Sequence, residues 1–151
     1  MRITLVLLSA VVLLSACSKK QDEQQAAAEP EPERIEVQHI LIAFQGSVPG
    51  KNVTRTQSEA ADLAQEILQK AQQGENFDAL VKQYTDDAYP GRYKMTNYGI
   101  PSDASKEEYE RRNMVPAFGD VGFKLQVGQA GLAKFDPAAS PYGWHVIKRV
   151  Q

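Results

Sequence analysis

The two histidines of the chain are its clearest candidates for chemistry. His39 lies in the segment IEVQHILIAF and His145 in YGWHVIKRV, near the C-terminus. Both segments are rich in β-branched and aromatic residues, which predicts strands, and side-chain alternation places each imidazole on an apolar face. A histidine in such a place is either a hydrogen-bonded core residue or part of a functional site, and the two segments alone leave both interpretations open.

The composition limits which other kinds of site the chain can build. Two histidines and one cysteine are a poor set for a zinc site, which needs three or four ligands, and one cysteine cannot form an internal disulfide. The formal net charge is −2. Because no basic stripe occurs, nucleic acid is not expected as a partner.

The single cysteine, Cys17, follows a short apolar run at the start of the chain. Arg2 forms a short positive region, and residues 3–14 form an apolar run that is too short for a stop-transfer helix. The LSAC that ends this run resembles the lipobox of bacterial lipoproteins. That resemblance implies a signal peptide over residues 1–16 and a lipid anchor on Cys17, and Ser18 at the next position implies the outer membrane, facing the periplasm. An ordinary cleaved secretory signal is the alternative.

The segment after the cysteine, SKKQDEQQAAAEPEPER, contains no aromatic or branched aliphatic residue. It cannot bury enough apolar surface to fold, so residues 17–34 are predicted to be the lipidated cysteine and a disordered tether. The folded domain is expected to begin at Ile35 and to occupy residues 35–151, which is a suitable length for a single core.

Three segments of this domain are typical of helices. The first begins at a capping box formed by Thr56 and Glu59 and ends at Gly74. The second is capped by Asn76, and the third begins at Pro116. We expect these helices to serve as scaffold for the strands.

The segment SKEEYERR, residues 105–112, is predicted to form one or two exposed helical turns. Glu107 and Glu108 are spaced to pair with Arg111 and Arg112 at i,i+4. A charge run of this kind is typical of a solvated face rather than of a partner site.

The order of these segments is similar to that of parvulin-type peptidyl-prolyl isomerases. VQHILIAF, a long capped helix, GENFDALVKQYTDD, MVPAF and YGWHVIKRV follow one another through residues 35–151. The resemblance implies an α+β fold, with a four-stranded antiparallel sheet surrounded by helices and the first and last strands adjacent at its centre. His39 and His145 would then meet on the floor of a substrate cleft.

The resemblance also implies two groups of site residues. The catalytic group is His39, Asp87, Ser140 and His145, and the substrate-binding group is Met114 and Phe118. Tyr142 and Trp144 lie beside these matches in the sequence and are expected to pack near them as further substrate-binding residues. In this interpretation Asp87 faces the substrate amide, and Met114 and Phe118, four apart on one helix face, receive the proline ring. Ser140 completes the hydrogen-bond network of the histidines, and no cofactor or metal is needed.

The sequence departs from the family after Asp87, where YPGRYKMTNYG, residues 89–99, replaces a glycine-rich turn, and in an insertion over residues 92–112. Tyr93 or Tyr98 is expected to supply the missing pocket wall. Lys51 and Arg55 stand singly in the first loop, so a preference for phosphorylated clients is not expected.

The function implied is isomerisation of Xaa-Pro bonds in exported or envelope proteins, with proline-containing polypeptides as clients. The alternative is a non-catalytic periplasmic chaperone or assembly module that uses the same cleft to bind extended segments.

Overall fold

The structure is a computed structural model that describes residues 30–151. The predicted signal peptide, Cys17 and the predicted tether up to residue 29 lie outside the described residues. Within residues 30–151, no helix is long and apolar enough to cross a membrane.

A single mixed sheet forms the centre of the fold. Its strands are β1 (Arg34–Ile42), β2 (Arg92–Thr96), β3 (Glu108–Glu110), β4 (Ala130–Ala133) and β5 (Trp144–Arg149). The order across the sheet is β3-β2-β1-β5-β4, and every pair is antiparallel except β2 with β3. The predicted α+β fold and the central pairing of the first and last strands are confirmed, but the described sheet has five strands instead of four.

The three predicted helices are present as α1 (Gln57–Gln72), α2 (Phe77–Tyr84) and α3 (Pro116–Lys124). The capping box of α1 is confirmed, because Thr56 Oγ1 accepts from the amide of Glu59 at 3.2 Å and the Glu59 carboxylate accepts from the amide of Thr56 at 2.7 Å. The predicted cap of α2 also forms, with the Asn76 side chain accepting from Ala79 N at 3.0 Å.

The two sheet faces are covered by different helices. α1 and α2 pack on one face, which includes Ile40, Trp144 and Val146, and α3 packs on the other, which includes Val37 and Ile147. His39 and His145 belong to the α3 face because side chains alternate along β1 and β5. The alternation therefore decides which helix can build a site with the histidines.

The prediction of exposed helical turns over residues 105–112 is wrong for the middle of the segment, which forms a strand. Glu107 has a positive φ of 58°, which ends a short 3₁₀ turn and lets residues 108–110 pair as β3 with the edge of β2. Glu108 pairs with Arg34 at 3.4 Å and Arg112 with Glu110 at 2.5 Å, instead of the i,i+4 pairs predicted. Tertiary pairing outweighs local helix propensity here.

Contacts of the folded unit begin at Glu31, four residues before the predicted boundary. Asn97 N donates to the carbonyl of Glu33 at 2.8 Å, and Asn97 Nδ2 donates to the carbonyl of Pro32 at 3.1 Å. Glu31 itself pairs with buried Arg111. The segment lacks aromatic and branched aliphatic side chains, as the sequence indicates, but it docks through polar groups.

Candidate active site

The two histidines meet on the α3 face of the central strand pair. Leu41 is opposite His145 and His39 is opposite Ile147, so the imidazoles are diagonal neighbours across β1 and β5. Their Nδ1 atoms lie 3.3 Å apart, and the rings stack with centroids 5.4 Å apart and an interplanar angle of 21°. The residues are 2% and 5% exposed, respectively. The sequence-based expectation that they stand side by side is therefore met by the geometry.

Asp87 is held beside His39 by the chain that leaves α2. The amide of Asp86 donates to Leu41 O at 2.8 Å, and Thr85 Oγ1 accepts from the amides of Leu41 and Asp87, each at 3.2 Å. These bonds fasten the TDD segment to β1. Asp87 Oδ2 consequently lies 3.3 Å from His39 Nε2.

The environment keeps Asp87 charged. Contact with His39 lowers the pKa of Asp87 to about 2, more than burial raises it. The carboxyl group is therefore an anion at neutral pH and accepts hydrogen bonds but cannot donate one.

His145 is kept neutral by the opposite effect. Burial, and next the neighbouring His39, lower the pKa of His145 to about 3. The Asp87 carboxylate beside His39 Nε2 favours the tautomer that carries the ring hydrogen on that nitrogen, in which His39 Nδ1 can accept from His145 Nδ1–H. This arrangement aligns His145, His39 and Asp87 in one row.

An apolar cleft of about 280 Å³ opens above this row. Its lining is apolar and aromatic apart from the row itself and comprises Leu41, Val48, Tyr93, Met114, Val115, Phe118 and Tyr142. Phe118 is 2% exposed and meets His39 edge to face at 5.1 Å and His145 at 5.5 Å. The volume falls at the small end of ligand sites, which span roughly 300–1,000 Å³, and suits one compact apolar group.

Met114 and Phe118 both line the cleft, but they do not share a helix face. α3 begins at Pro116 with Val115 as its N-cap, so Met114 precedes the helix. This corrects the expected geometry while leaving both residues in the cleft. Val115 between them was missed, because its contact depends on the turn before α3.

Ser140 does not join the histidine network in the described structure. Its hydroxyl donates to the carbonyl of Gly143 at 2.9 Å and closes the turn before β5. Gly143 has a φ of 136°, and a Cβ there would collide with the backbone oxygen of Ile42. Ser140 thus supports the close approach of this turn to β1, which corrects its predicted hydrogen bond to the histidines.

Trp144 also lies outside the cleft. It is buried against Phe44 and Phe135, with ring centroids 5.9 and 5.6 Å away, on the face covered by α1. Its neighbour Tyr142 does line the cleft, and the Tyr142 carbonyl accepts from Ser47 Oγ at 2.9 Å. The prediction of Trp144 as a substrate contact is therefore corrected to a core role.

Of the two tyrosines considered for the replaced turn, Tyr93 is the one that walls the cleft. Its ring lies 5.3 Å from His39 and 5.7 Å from Phe118. Tyr98 is exposed and covers the guanidinium of Arg111 instead. Leu41 and Val48 were not predicted to line the cleft. Strand alternation places Leu41 on the same face as His39 and could have indicated it, whereas Val48 lies in a loop without periodicity.

The two basic side chains of the first loop, Lys51 and Arg55, both bind Asp86. Arg55 Nη1 pairs with the Asp86 carboxylate and donates to Ala43 O at 3.1 Å, and Lys51 donates to the Asp86 carbonyl. Within residues 30–151, no three His, Cys, Asp or Glu side chains are grouped so that they could hold a metal ion.

Comparisons with known proteins agree on one family. A family model described as the PPIC-type PPIASE domain matches residues 12–151. Chaperone SurA of Chromohalobacter salexigens is 34% identical over 113 residues, and foldase protein PrsA 4 of Bacillus cereus is 36% identical over 115 residues. These matches cover 74% and 76% of this chain but only 21% and 31% of the respective relatives.

The fold is also similar to the solution structure of TbPIN1. The TM-score is 0.58 at 21% sequence identity, and the match covers 79% of this chain and 98% of that chain. The chain therefore spans the whole of a small protein of this fold, and about a fifth to a third of the longer relatives.

Proposed function

Because the chain belongs to the PPIC-type peptidyl-prolyl isomerase, or parvulin, family, we propose that it catalyses cis–trans isomerisation of Xaa-Pro bonds in polypeptides. The observation that supports this most strongly is the position of the histidine–aspartate row at the floor of a small apolar cleft. A proline ring is a compact apolar group of the size that the cleft can hold.

The reaction requires no nucleophile. Twisting an amide breaks its resonance against a barrier of ~18–20 kcal/mol. As the bond twists, the nitrogen lone pair localises and the carbonyl oxygen loses negative charge. A site that holds the proline ring dry, while the preceding carbonyl rotates, favours the twisted state over the planar one.

Asp87 supplies the electrostatic part of this mechanism. Its carboxylate is an anion at the edge of the cleft, where its low pKa keeps it charged. A negative charge near the substrate carbonyl disfavours the planar amide, whose oxygen is more negative, and thereby lowers the barrier to rotation.

The histidines position this site without exchanging protons with the substrate. His39 contacts Asp87 through one nitrogen and His145 through the other, and both rings pack edge to face against Phe118. They fix the aspartate and the phenylalanine relative to each other, which is the geometry that rotation requires.

The setting that we propose is the bacterial cell envelope, with the domain tethered through a lipid on Cys17 at the periplasmic face of the outer membrane. LSAC before the cysteine and Ser18 after it support this location. The names of the relatives, a chaperone and a foldase, support a role in folding exported proteins. Proline-containing polypeptides in the envelope would be the clients.

The test is NMR exchange of an Xaa-Pro peptide in the presence of catalytic amounts of the purified protein. Faster exchange between the cis and trans resonances supports the isomerase. Peptide binding without faster exchange would instead support the non-catalytic chaperone or assembly module.

A further inference from the structure

Arg111 is a buried cation in a second short 3₁₀ turn, Arg111–Asn113, which lies between β3 and α3. It is 6% exposed, and its guanidinium lies between the rings of Tyr98 and Phe123, 4.7 Å from each centroid. A buried guanidinium is costly unless its hydrogen bonds and charge are satisfied. Two carboxylates, Glu31 at Nη1 and Asp120 at Nη2, balance the charge here, while Nε has no hydrogen-bond partner among the described residues.

One of these carboxylates belongs to the helix that forms the cleft. Arg111 Nη2 donates to Asp120 Oδ1 at 2.8 Å, one residue after Gly119 and two after Phe118. A Cβ on Gly119 would lie 2.9 Å from Arg111 Cγ, so the arginine stem packs directly against the α3 backbone. The N-cap of α3, Val115, has no polar side chain, so the helix depends on such contacts for its position.

The other carboxylate belongs to the segment that enters the domain. Arg111 Nη1 donates to Glu31 Oε2 at 2.5 Å and to Asn97 Oδ1 at 2.9 Å. Asn97 in turn binds Glu31 Oε2 and the carbonyl of Pro32 through Nδ2, at 3.2 and 3.1 Å. The entering segment and the cleft helix therefore share one cation.

We propose that Arg111 is a positioning residue of the proline pocket, and that docking of Glu31 on it couples the incoming tether to the position of α3. This inference rests on the proposed function, because the pocket that α3 forms is the one assigned to proline. Loss of Glu31 leaves the guanidinium bound mainly from the Asp120 side, so Arg111 and α3 shift together in the free protein. The pocket with Phe118 packed on the histidines is then populated less until a peptide binds.

The coupling is reciprocal. If docking of residues 31–33 favours the binding-competent pocket, a peptide in the pocket must favour docking by the same free energy. The entering segment should then open less often when the pocket is occupied, although it does not touch the peptide.

The first experiment compares Glu31→Ala and Asp120→Ala with Glu33→Ala in the purified protein. Glu33 is a matched control because it lies two residues from Glu31 and pairs only loosely with Arg34, at 3.7 Å between largely exposed side chains. We expect KM, and the Kd for an Xaa-Pro peptide, to rise about fivefold in the first two variants, the low end of ordinary coupling. In these two variants kcat should change little, and in Glu33→Ala the KM and the Kd should stay close to the parent values. Glu31→Gln, which keeps an acceptor oxygen, should recover part of the lost affinity.

A second comparison separates positioning from general destabilisation. Ala64→Gly weakens α1 on the opposite sheet face and should lower the thermal midpoint without raising KM. Hydrogen exchange of the Asn97 amide, which donates to the Glu33 carbonyl, should slow when saturating peptide is added to the parent protein, and should respond less in Asp120→Ala. The proposal would be overturned if KM and Kd were the same in Glu31→Ala, Asp120→Ala and Glu33→Ala. It would also be overturned if Ala64→Gly raised KM as much as Glu31→Ala and Asp120→Ala do. Because Kd and exchange are measured beside turnover, a protein that binds peptide without isomerising it would refute the proposed activity while still deciding the coupling.

Discussion

His39 Nδ1 and His145 Nδ1 lie 3.3 Å apart across the central strand pair, and His39 Nε2 lies 3.3 Å from the carboxylate of Asp87. The histidines therefore belong to a row of polar groups under an apolar cleft. The two histidines that the sequence places on apolar strand faces are therefore part of a site whose charge is the Asp87 carboxylate.

Loss of the Phe118 ring should reduce turnover more than a comparable change elsewhere in the cleft. We expect Phe118→Leu to lower kcat/KM about tenfold, equivalent to about 1.4 kcal/mol of barrier, because the ring packs on both histidines. Leucine keeps most of the buried volume, whereas alanine at this 2% exposed position would also cost stability. Met114→Ala, at a half-buried position, should have a smaller effect on kcat/KM. Full activity in Phe118→Leu would contradict the pocket assignment.

Asp87→Asn removes the charge but keeps the shape of the side chain. We expect kcat/KM to fall about tenfold, again about 1.4 kcal/mol. The thermal midpoint at pH 7 should also fall modestly, because the lowered pKa means that the fold stabilises the charged form of this partly exposed carboxylate. Because the pKa of Asp87 is about 2, its titration should not appear in the activity of the parent protein between pH 5 and 9. The anionic role would be refuted if the activity of the parent protein declined within this pH range and the same decline were missing in Asp87→Asn.

The burial of His145 should make stability depend on pH in a specific window. The pKa of His145 is about 3 in the folded protein, against 6.5 without the fold. The unfolded chain therefore binds more protons between these values, so stability is full above about pH 6.5 and falls as the pH is lowered towards 3. We expect urea unfolding from pH 4 to 8 to show a weaker pH dependence in His145→Gln than in the parent protein. Parallel curves for the two proteins would mean that His145 is not held neutral by the fold.

The lipid anchor is tested by mass spectrometry of protein extracted from membranes. We expect a mature chain that begins at an acylated Cys17, and a Cys17→Ser variant that is unprocessed or released from the membrane. Unmodified Cys17 in the membrane extract would rule out the anchor and favour an ordinary secretory signal.

The parts of the site that follow from local periodicity could be predicted from the sequence. Alternation along each strand places His39 and His145 on apolar faces, and the capping box at Thr56 marks the start of α1. The same alternation excludes Trp144 from the face of His145, so its assignment to the cleft conflicted with the strand that contains it. That assignment rests only on the position of Trp144 next to residues that match the family.

Features that depend on distant partners could not be predicted. β3 forms because β2 offers a free edge, which outweighs the helical charge pattern of residues 105–112. The hydroxyl of Ser140 bonds within its own turn, and no local pattern distinguishes that partner from a histidine. Glu31 docks because Arg111, 80 residues later in the chain, is buried beneath it.

The central claim, that the cleft catalyses rotation about a gripped Xaa-Pro bond, is tested most directly by NMR exchange spectroscopy on one Xaa-Pro peptide. The parent protein, Phe118→Leu and Glu33→Ala are compared at equal catalytic concentration. The account predicts rapid exchange between cis and trans peptide with the parent and Glu33→Ala, and a rate about tenfold lower with Phe118→Leu, which corresponds to about 1.4 kcal/mol. Exchange with the parent protein that is no faster than that of the free peptide, while the peptide's resonances show that it binds, would contradict the account.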